Sequence, residues 1–497
     1  MILNAGPITV HYENGFLRTL SAGSRELLRM IYFAFRDPNW DTAPIRISNE
    51  RIERQDDTFQ IEYDWFVNDL EMQAQGYIRI KGESDGSIEV QFRAEALRTF
   101  QRNRVGLCIL HPIVATTGQP CQITSPDGTQ ITSRFPEFIS PHQPFLNIQT
   151  MTWETAFGDT LRLDFSGDVF ETEDQRNWTD ASFKTYSTPL TIPIPATVQT
   201  GTIIEQAVRF QPIKLADQTV SVVENRVDAD VPTTKLRIGL GHRIDGLLLL
   251  GEEARRLKKL DLSHLRADVF FAHPKWSDYL ENAWLDAQLL NVPLELALFF
   301  EKGTKNQLPD FLAFLSTESI SVQSLSLFNS INQTTSDTLL TEVVPFFRDT
   351  LPDIRIGGGT NANFAEFNRN PFRYDLVDFV TFSANPQAHA IDDQTIMENA
   401  TAHFDVVRSA KKLAGDKPVH VSPITLLPRF NPALPANRFG YTPLTDERQN
   451  TKFAAEWTRI SLQMLRKAGA ESVTYFETHG PRGVLNNEAL MAVLADR

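Results

Sequence analysis

Hydrophobic and polar positions alternate in short runs along the first part of the chain and return at three- and four-residue intervals along the rest, with the change near residue 225. Before that point the runs TFQIEYDWFV, GYIRIKG, SIEVQFRAEA, LRLDFSGDVF and TIIEQAVRFQP are separated by turn signals such as SDG at Ser84–Gly86 and PDG at Pro126–Gly128. A period of two puts every second side chain on one face, the pattern of a half-buried strand, and Asp-Gly at the breaks supplies turn geometry. An antiparallel β-sandwich is therefore expected over residues 1–225. Helical periodicity is nearly absent there, and its best stretch, Ser24–Ile31, is short.

Residues 226–497 repeat strand, loop and helix. Strands are expected at Leu236–Leu240, Ala267–Phe271, Leu294–Phe299, Val322–Phe328, Ile354–Gly357, Val377–Phe382, Pro418–Ser422 and Ser472–Phe476. Between them lie amphipathic segments, among them ENAWLDAQLLN, SDTLLTEVVPFFRDTL, QTIMENATAHFDVVRSAKKLAGD and TKFAAEWTRISLQMLRKAGA, whose apolar residues share one helical face. Eight such units predict a closed (β/α)8 barrel of the TIM type. An open doubly wound sheet is the alternative; no G-x-G-x-x-G follows an early strand, and GGGT at Gly357–Thr360 lacks that spacing. A length of 497 residues also exceeds what one core serves, as two domains require.

Composition narrows the partners. The net charge of −14 speaks against nucleic acid, whose affinity rests on clustered Lys and Arg, and no run approaches the roughly 18 apolar residues of a membrane span. The start, MILNAGPITVHYENG, lacks a basic segment followed by an apolar one, so a cytoplasmic location is expected. Cys108 and Cys121 are read as packing thiols, and two cysteines are too few for a four-thiolate zinc site. An edge strand in the first half suits a homo-oligomer interface.

Barrel enzymes carry their chemistry on the loops after the strands. In this chain those loops hold His242, His273, Glu301 and Asn329 after the first four strands, and Asn361, Asn363 and Glu366 after the fifth. The sixth contributes Asn385, His389, Asp392 and Asp393, and the eighth Glu477 and His479. Glu477 ends an apolar strand, where desolvation would raise its pKa toward general acid or base work. In the Asn385–Asp393 loop two readings are equal: a carboxylate that orients the His389 imidazole, or a loop stitched by its own hydrogen bonds. His242, His273, Glu301 and Glu477 are the donors that a divalent metal would use, but His-x-His and H-E-x-x-H are both missing, so no cofactor is expected and a divalent ion remains the alternative. There is no G-x-S-x-G serine elbow either. A second concentration of chemistry, Gly167–Leu190, packs acids, bases and aromatics into one run, GDVFETEDQRNWTDASFKTYSTPL. Three readings stand: a surface that grips a small polar molecule, an ion-paired turn region joining strands whose acids and bases satisfy one another, or, if the sandwich packs beside the barrel mouth, a clamp between the domains.

Four blocks resemble those of the D-apionate lactonases, bacterial enzymes of branched-pentose catabolism: FQRNRVGLCILHP, FPEFISPHQPF, the Gly167–Leu190 run, and IGGGTNANFAEFNR. The resemblance implies a β-rich first domain, a TIM-type barrel, and a hydrolase that opens D-apionolactone, a small sugar lactone, to D-apionate. It carries over no catalytic residues. Lactone opening needs a base for water, donors for the oxyanion and an acid for the departing alkoxide. Glu477 is the first candidate base and Glu366 the second, with His389 or His479 as the acid. The oxyanion would be met by His242 or, if the sandwich abuts the mouth, by Arg176 or Lys184. Asn177, Asp180, Asn361, Asn363 and Asn385 suit the substrate hydroxyls, with His273 and Asn329 beside them and Trp178 stacking on the ring. Two alternatives stay open: a glycoside hydrolase using Glu366 and Glu477, although FNS at the fourth strand end offers no Glu beside Asn329, and a non-catalytic sugar-binding protein.

Overall fold

The alternating runs of the first part form two antiparallel sheets. The structure is a computed structural model and describes residues 1–217, 236–301, 304–430 and 445–496, so the change of pattern near residue 225 lies outside the described residues. One sheet has eight strands in the order Ile2–Ala5, Ile8–Glu13, Phe16–Ala22, Arg25–Arg36, Arg104–Pro112, Ser182–Tyr186, Phe170–Asp174, Phe145–Ile148. The other has nine and includes Thr160–Ser166, Ile203–Lys214, Ile88–Ala96, Met72–Gly82 and Phe59–Asp69 as successive neighbours. Alternation decides which side chains meet: Phe59, Ile61, Tyr63, Trp65 and Val67 are all buried while the residues between them are not. Trp65 stacks on Phe92 of its own sheet at 5.6 Å and packs against Phe33 of the other at 5.1 Å, which places the core between the sheets.

Ser24–Ile31, the best helical stretch in the sequence, belongs instead to the strand Arg25–Arg36. Both of its faces are covered, so apolar residues occupy consecutive positions and imitate a helical spacing. Arg25 is buried as well because Asp159 meets it, Nη2 to Oδ1 at 2.9 Å. Cys108 and Cys121 are free, buried thiols in different sheets. Lys184, considered for the oxyanion, lies on the strand Ser182–Tyr186 with its ammonium paired to Glu173 of the neighbouring strand.

The second unit is a closed barrel of eight parallel strands: Arg237–Gly241, Leu265–Phe270, Leu294–Phe300, Val322–Asn329, Arg355–Gly359, Phe379–Ala384, Val419–Ile424 and Ser472–Glu477. Each expected strand is present, its ends within two residues of the expectation. Helices start and stop where the local chemistry directs. Ser336 Oγ accepts from Leu339 N to cap Asp337–Thr350, and Gly469, at φ +76°, ends Lys452–Ala468 in the left-handed conformation that glycine adopts without cost. The long segment from Gln394 divides into Asp393–Asn399 and His403–Ala414. The barrel unit also takes in Arg176–Ala181, a short piece from the middle of the acidic and aromatic run. Among the described residues no helix is long and apolar enough to cross a membrane.

Candidate active site

The floor of the barrel mouth is built by a strand with two charges in it. In Leu265–Phe270, Arg266 and Asp268 stand two residues apart and so share a face. Arg266 is buried; it donates from Nε to Asp268 Oδ1 (2.9 Å), from Nη1 to Ser422 Oγ (3.0 Å) and from Nη2 to Asn361 Oδ1 (2.5 Å). One guanidinium thus ties the ends of the second, fifth and seventh strands. Asn361 passes its own amide proton to Gln333 Oε1 at 2.7 Å, and the second oxygen of Asp268 accepts from Arg429 Nη2 at 3.0 Å.

Above this floor, beside the first two strands, lies a cavity of about 160 Å³ lined by His242, Arg243, Asp268, His273, Trp276, Tyr279 and Arg429, among others. The His242 ring lies beside a carboxylate: Nε2 is 3.3 Å from Asp286 Oδ2, close enough for an ion pair but with no hydrogen bond between them, and Asp286 Oδ1 is fixed by the Leu249 N–H at 3.0 Å. His273 Nδ1 accepts from Lys275 N at 3.1 Å, and its ring meets Tyr279 edge-on at 5.1 Å. Arg243 packs against Gly480, where a Cβ would come within 2.8 Å of the guanidinium carbon. His479 immediately precedes that glycine; burial pushes its pKa down, with Arg243 and His242 adding and Glu253 and Asp286 opposing.

Glu477 reaches the mouth through a bulge. Thr474 points inward, accepting from Ser422 Oγ at 2.8 Å, and Tyr475 points outward to Ser461 of the helix Lys452–Ala468. Strict alternation would turn Glu477 outward too. Pairing with the first strand instead slips between Leu240–Tyr475 and Gly241–Glu477, and Phe476 takes φ +49° to absorb the extra residue, so that Glu477 faces in. The carboxylate is buried, as expected, but it is not left alone: Arg482 Nε donates to Oε1 at 2.9 Å.

The loops after the fifth and sixth strands make the other half of the mouth. Asn363 begins the short helix Phe364–Arg369, and its Oδ1 accepts from Asn385 Nδ2 at 2.9 Å. Glu366 lies on that helix with Oε2 buried and unpartnered. Burial pushes its pKa up to about 7, against backbone N–H groups and Arg369 pulling it down. His389 Nδ1 lies 2.6 Å from Asp180 Oδ2, so the orienting carboxylate comes from Arg176–Ala181. The loop's own acids are spent elsewhere: Asp392 caps the helix Asp393–Asn399, and Asp393 pairs with Arg448 at 2.8 Å. Trp178 meets His389 edge-on at 5.2 Å beneath the Arg369 guanidinium. Arg176 and Asn177 each bond a helix residue. Arg176 Nη1 binds Asp405 Oδ1 at 2.9 Å, and Asn177 Oδ1 accepts from Asn368 Nδ2 at 2.9 Å. Asn329 shapes its loop, with Oδ1 accepting from Ile331 N at 2.9 Å.

Two family models cover the chain: the N-terminal domain of D-apionate lactonase matches residues 1–214, and its TIM barrel domain matches residues 238–495. The chain belongs to the D-apionate lactonase family. It is a lactone-hydrolysing enzyme of apionate sugar catabolism. The D-apionate lactonase of Brucella anthropi is 29% identical over 511 residues, spanning 98% of this chain and 83% of that protein. Among solved structures, a β-arabinopyranosidase superposes with a TM-score of 0.30 at 10% identity, covering 100% of this chain and 85% of its own. A β-glucuronidase from Ruminococcus gnavus, solved in complex with D-glucaro 1,5-lactone, gives 0.37 at 10% identity, over 92% and 69%. Superpositions this loose carry no argument about chemistry.

In this lactonase His242 and His273 line one cavity, while Glu301 ends the third strand exposed. Among the described residues no three His, Cys, Asp or Glu side chains converge as a metal-binding group. Arg266, Asp268, Asp286 and Arg429 were not among the sequence candidates. For the first two a signal exists: in LRADVF two opposite charges at positions i and i+2 interrupt an apolar strand, and buried charges persist where they are paired. Asp286 lies in an amphipathic helix and Arg429 beyond a strand end, where neither stands out from ordinary surface charge.

Proposed function

We propose that the substrate of this lactonase is D-apionolactone, opened to D-apionate, and that the ring binds in the cavity at the ends of the first and second barrel strands. One observation carries the reading: an imidazole beside a buried carboxylate, His242 with Asp286, shares a small cavity with Arg243 and Arg429. The cavity suits a single small sugar ring, and Trp276 and Tyr279 give it an apolar wall. His242 takes a proton from water as the water oxygen bonds to the lactone carbon, and Asp286 meets the charge that develops on the imidazole. Arg429 and Arg243 face the oxyanion, and they remain to hold the product carboxylate. The ring oxygen then departs and must gain a proton. Asp268, which lines the cavity, suits the substrate hydroxyls.

The experiment is acid release from D-apionolactone against a panel of other aldonolactones and aryl glycosides, with and without chelator. Selective opening of D-apionolactone is expected, with His242→Gln lowering kcat about 10²–10⁴-fold. Wild-type turnover in His242→Gln would overturn the assignment of the base. Loss with chelator would recast His242 and His273 as ligands, and release of aryl leaving groups would turn the reading to a glycosidase.

A further inference from the structure

Of the two arginines that line the cavity, Arg243 is held from two sides. On one side is Asp245 of the same loop. Its Oδ2 accepts from Arg243 Nε at 3.0 Å and lies 2.7 Å from Nη2, and its Oδ1 accepts from Leu247 N at 3.2 Å, which ties the carboxylate to its own turn. Asp245 thus takes Nε and Nη2 and leaves Nη1. On the other side is Gly480, at φ +79°. A Cβ there would come within 2.8 Å of Arg243 Cζ and Nη1 and 3.0 Å of Nε, so the guanidinium lies where any side chain at 480 would stand. The turn that carries Gly480 closes on itself: Gly483 N donates to the Gly480 carbonyl at 3.0 Å, Glu477 N to the Arg482 carbonyl at 3.1 Å, and Val484 N to the Glu477 carbonyl at 3.1 Å. The backbone at 480 is therefore fixed, whereas the guanidinium is the end of a flexible chain. If a Cβ is added, it is the arginine that moves.

We infer that Asp245 and Gly480 are positioning residues that hold the Arg243 guanidinium at the cavity for the oxyanion and then for the product carboxylate. The inference rests on the lactonase reading above and deepens it, by naming what sets one of its two cations. A donor stabilises a developing oxyanion best when it is fixed before the charge appears, because a donor that must move to meet it loses part of the gain to reorganisation. An arginine on a cavity wall has many rotamers. A carboxylate across one edge and a bare backbone against the guanidinium restrict them. The turn alone does not ask for glycine, since asparagine also adopts a left-handed φ; the guanidinium lying against position 480 does.

The test is a double-mutant cycle of Gly480→Ala and Arg243→Ala on D-apionolactone, with inhibition by D-apionate as a second readout. Gly480→Ala should lower kcat/KM about 10²-fold and weaken inhibition by D-apionate, as Arg243→Ala does. Added to Arg243→Ala, it should cost less than about twofold, because the space that the guanidinium leaves accepts the methyl group. Asp245→Asn keeps an acceptor for Leu247 N but turns an amide NH2 toward the arginine, and it should follow the same rule: a loss alone, none beside Arg243→Ala. Alanine at a left-handed φ costs some stability by itself. Gly118→Ala, at φ +74° with nothing within 4 Å of its Cβ, gives that strain alone and should keep wild-type kcat and KM. Wild-type kinetics in Gly480→Ala and Asp245→Asn, or losses that multiply with that of Arg243→Ala, overturn the inference while leaving the lactonase reading in place. Wild-type kinetics in Arg243→Ala would overturn the seating of the ring beside Arg243, and this inference with it. If the wild type opens a different lactone, the substrate reading fails, and the same cycle on that lactone still judges Asp245 and Gly480.

Discussion

Two carboxylates at the barrel mouth show how differently burial acts when a cation is at hand. Glu477 is buried against the Arg482 guanidinium, whereas Glu366 keeps one oxygen with no partner and its pKa rises to about 7. A carboxyl whose folded pKa lies above its unfolded value of about 4.3 binds a proton in the folded state that the unfolded chain has already released. Its contribution to stability is therefore full below about pH 4.3 and is lost as pH rises to about 7. Glu366→Gln removes the ionisation while keeping the shape. The variant should match the wild type in thermal midpoint near pH 4 and exceed it at pH 8, a difference that calorimetry across that range measures. A constant offset at all pH values would place the effect in packing instead.

At the scale of elements, the eight barrel strands were legible because each is a short apolar run bounded by turns and followed by an amphipathic helix, and that rhythm survives without any knowledge of contacts. The strand Arg25–Arg36 was not legible, since burial on both faces erases the alternation that marks a strand. The candidate site was legible only in its strand-end positions. Strand-end positions located His242, Glu366, His389 and Glu477, but parity hid the bulge at Phe476, and no local pattern could pair Asp180 with His389 across 209 positions of chain. Within the Gly167–Leu190 run, the residues Arg176–Ala181 belong to the barrel unit. Asp180 and Trp178 attend His389, and Arg176 anchors the segment to the helix His403–Ala414 through Asp405. Arg176→Met should cost about 3–5 kcal/mol by leaving Asp405 buried without that cation, and Arg176→Met with Asp405→Leu should recover most of it. The loss belongs in the unfolding midpoint, with KM for the lactone unmoved in the folded fraction. A raised KM at full stability would make Arg176 a substrate contact after all.

Over the whole barrel, charge is sorted by end. The mouth carries the groups assigned to chemistry, and the opposite end holds a network that closes on itself. There Glu471 accepts from Arg237 Nη2 (2.9 Å), Arg355 Nη1 (2.7 Å) and His420 Nε2 (3.0 Å), and Phe379 stacks on the His420 ring at 3.9 Å. Beside it His264 lies 3.3 Å from Glu295 and 2.8 Å from Thr474 Oγ1, in space that only a glycine at 239 leaves open, since a Cβ there would sit 2.2 Å from the ring nitrogen. Burial pushes His420 toward its neutral form, and a neutral imidazole still donates from Nε2. The His420 hydrogen bond, with Arg355 behind it, holds the Glu471 pKa down at about 2. The sign is opposite to that of Glu366: a depressed carboxylate stabilises the fold above its unfolded pKa and loses that contribution as pH falls from about 4.3 toward 2. Because about a third of Glu471 is exposed, solvent screening reduces its worth to roughly 1–2 kcal/mol. Glu471→Gln should therefore lower the thermal midpoint at pH 7, and the gap to wild type should close as the pH approaches 2.5. Its distance from the mouth gives a second readout: kcat on the lactone should hold while stability falls, and a parallel loss of kcat would show that the two ends of the barrel are coupled.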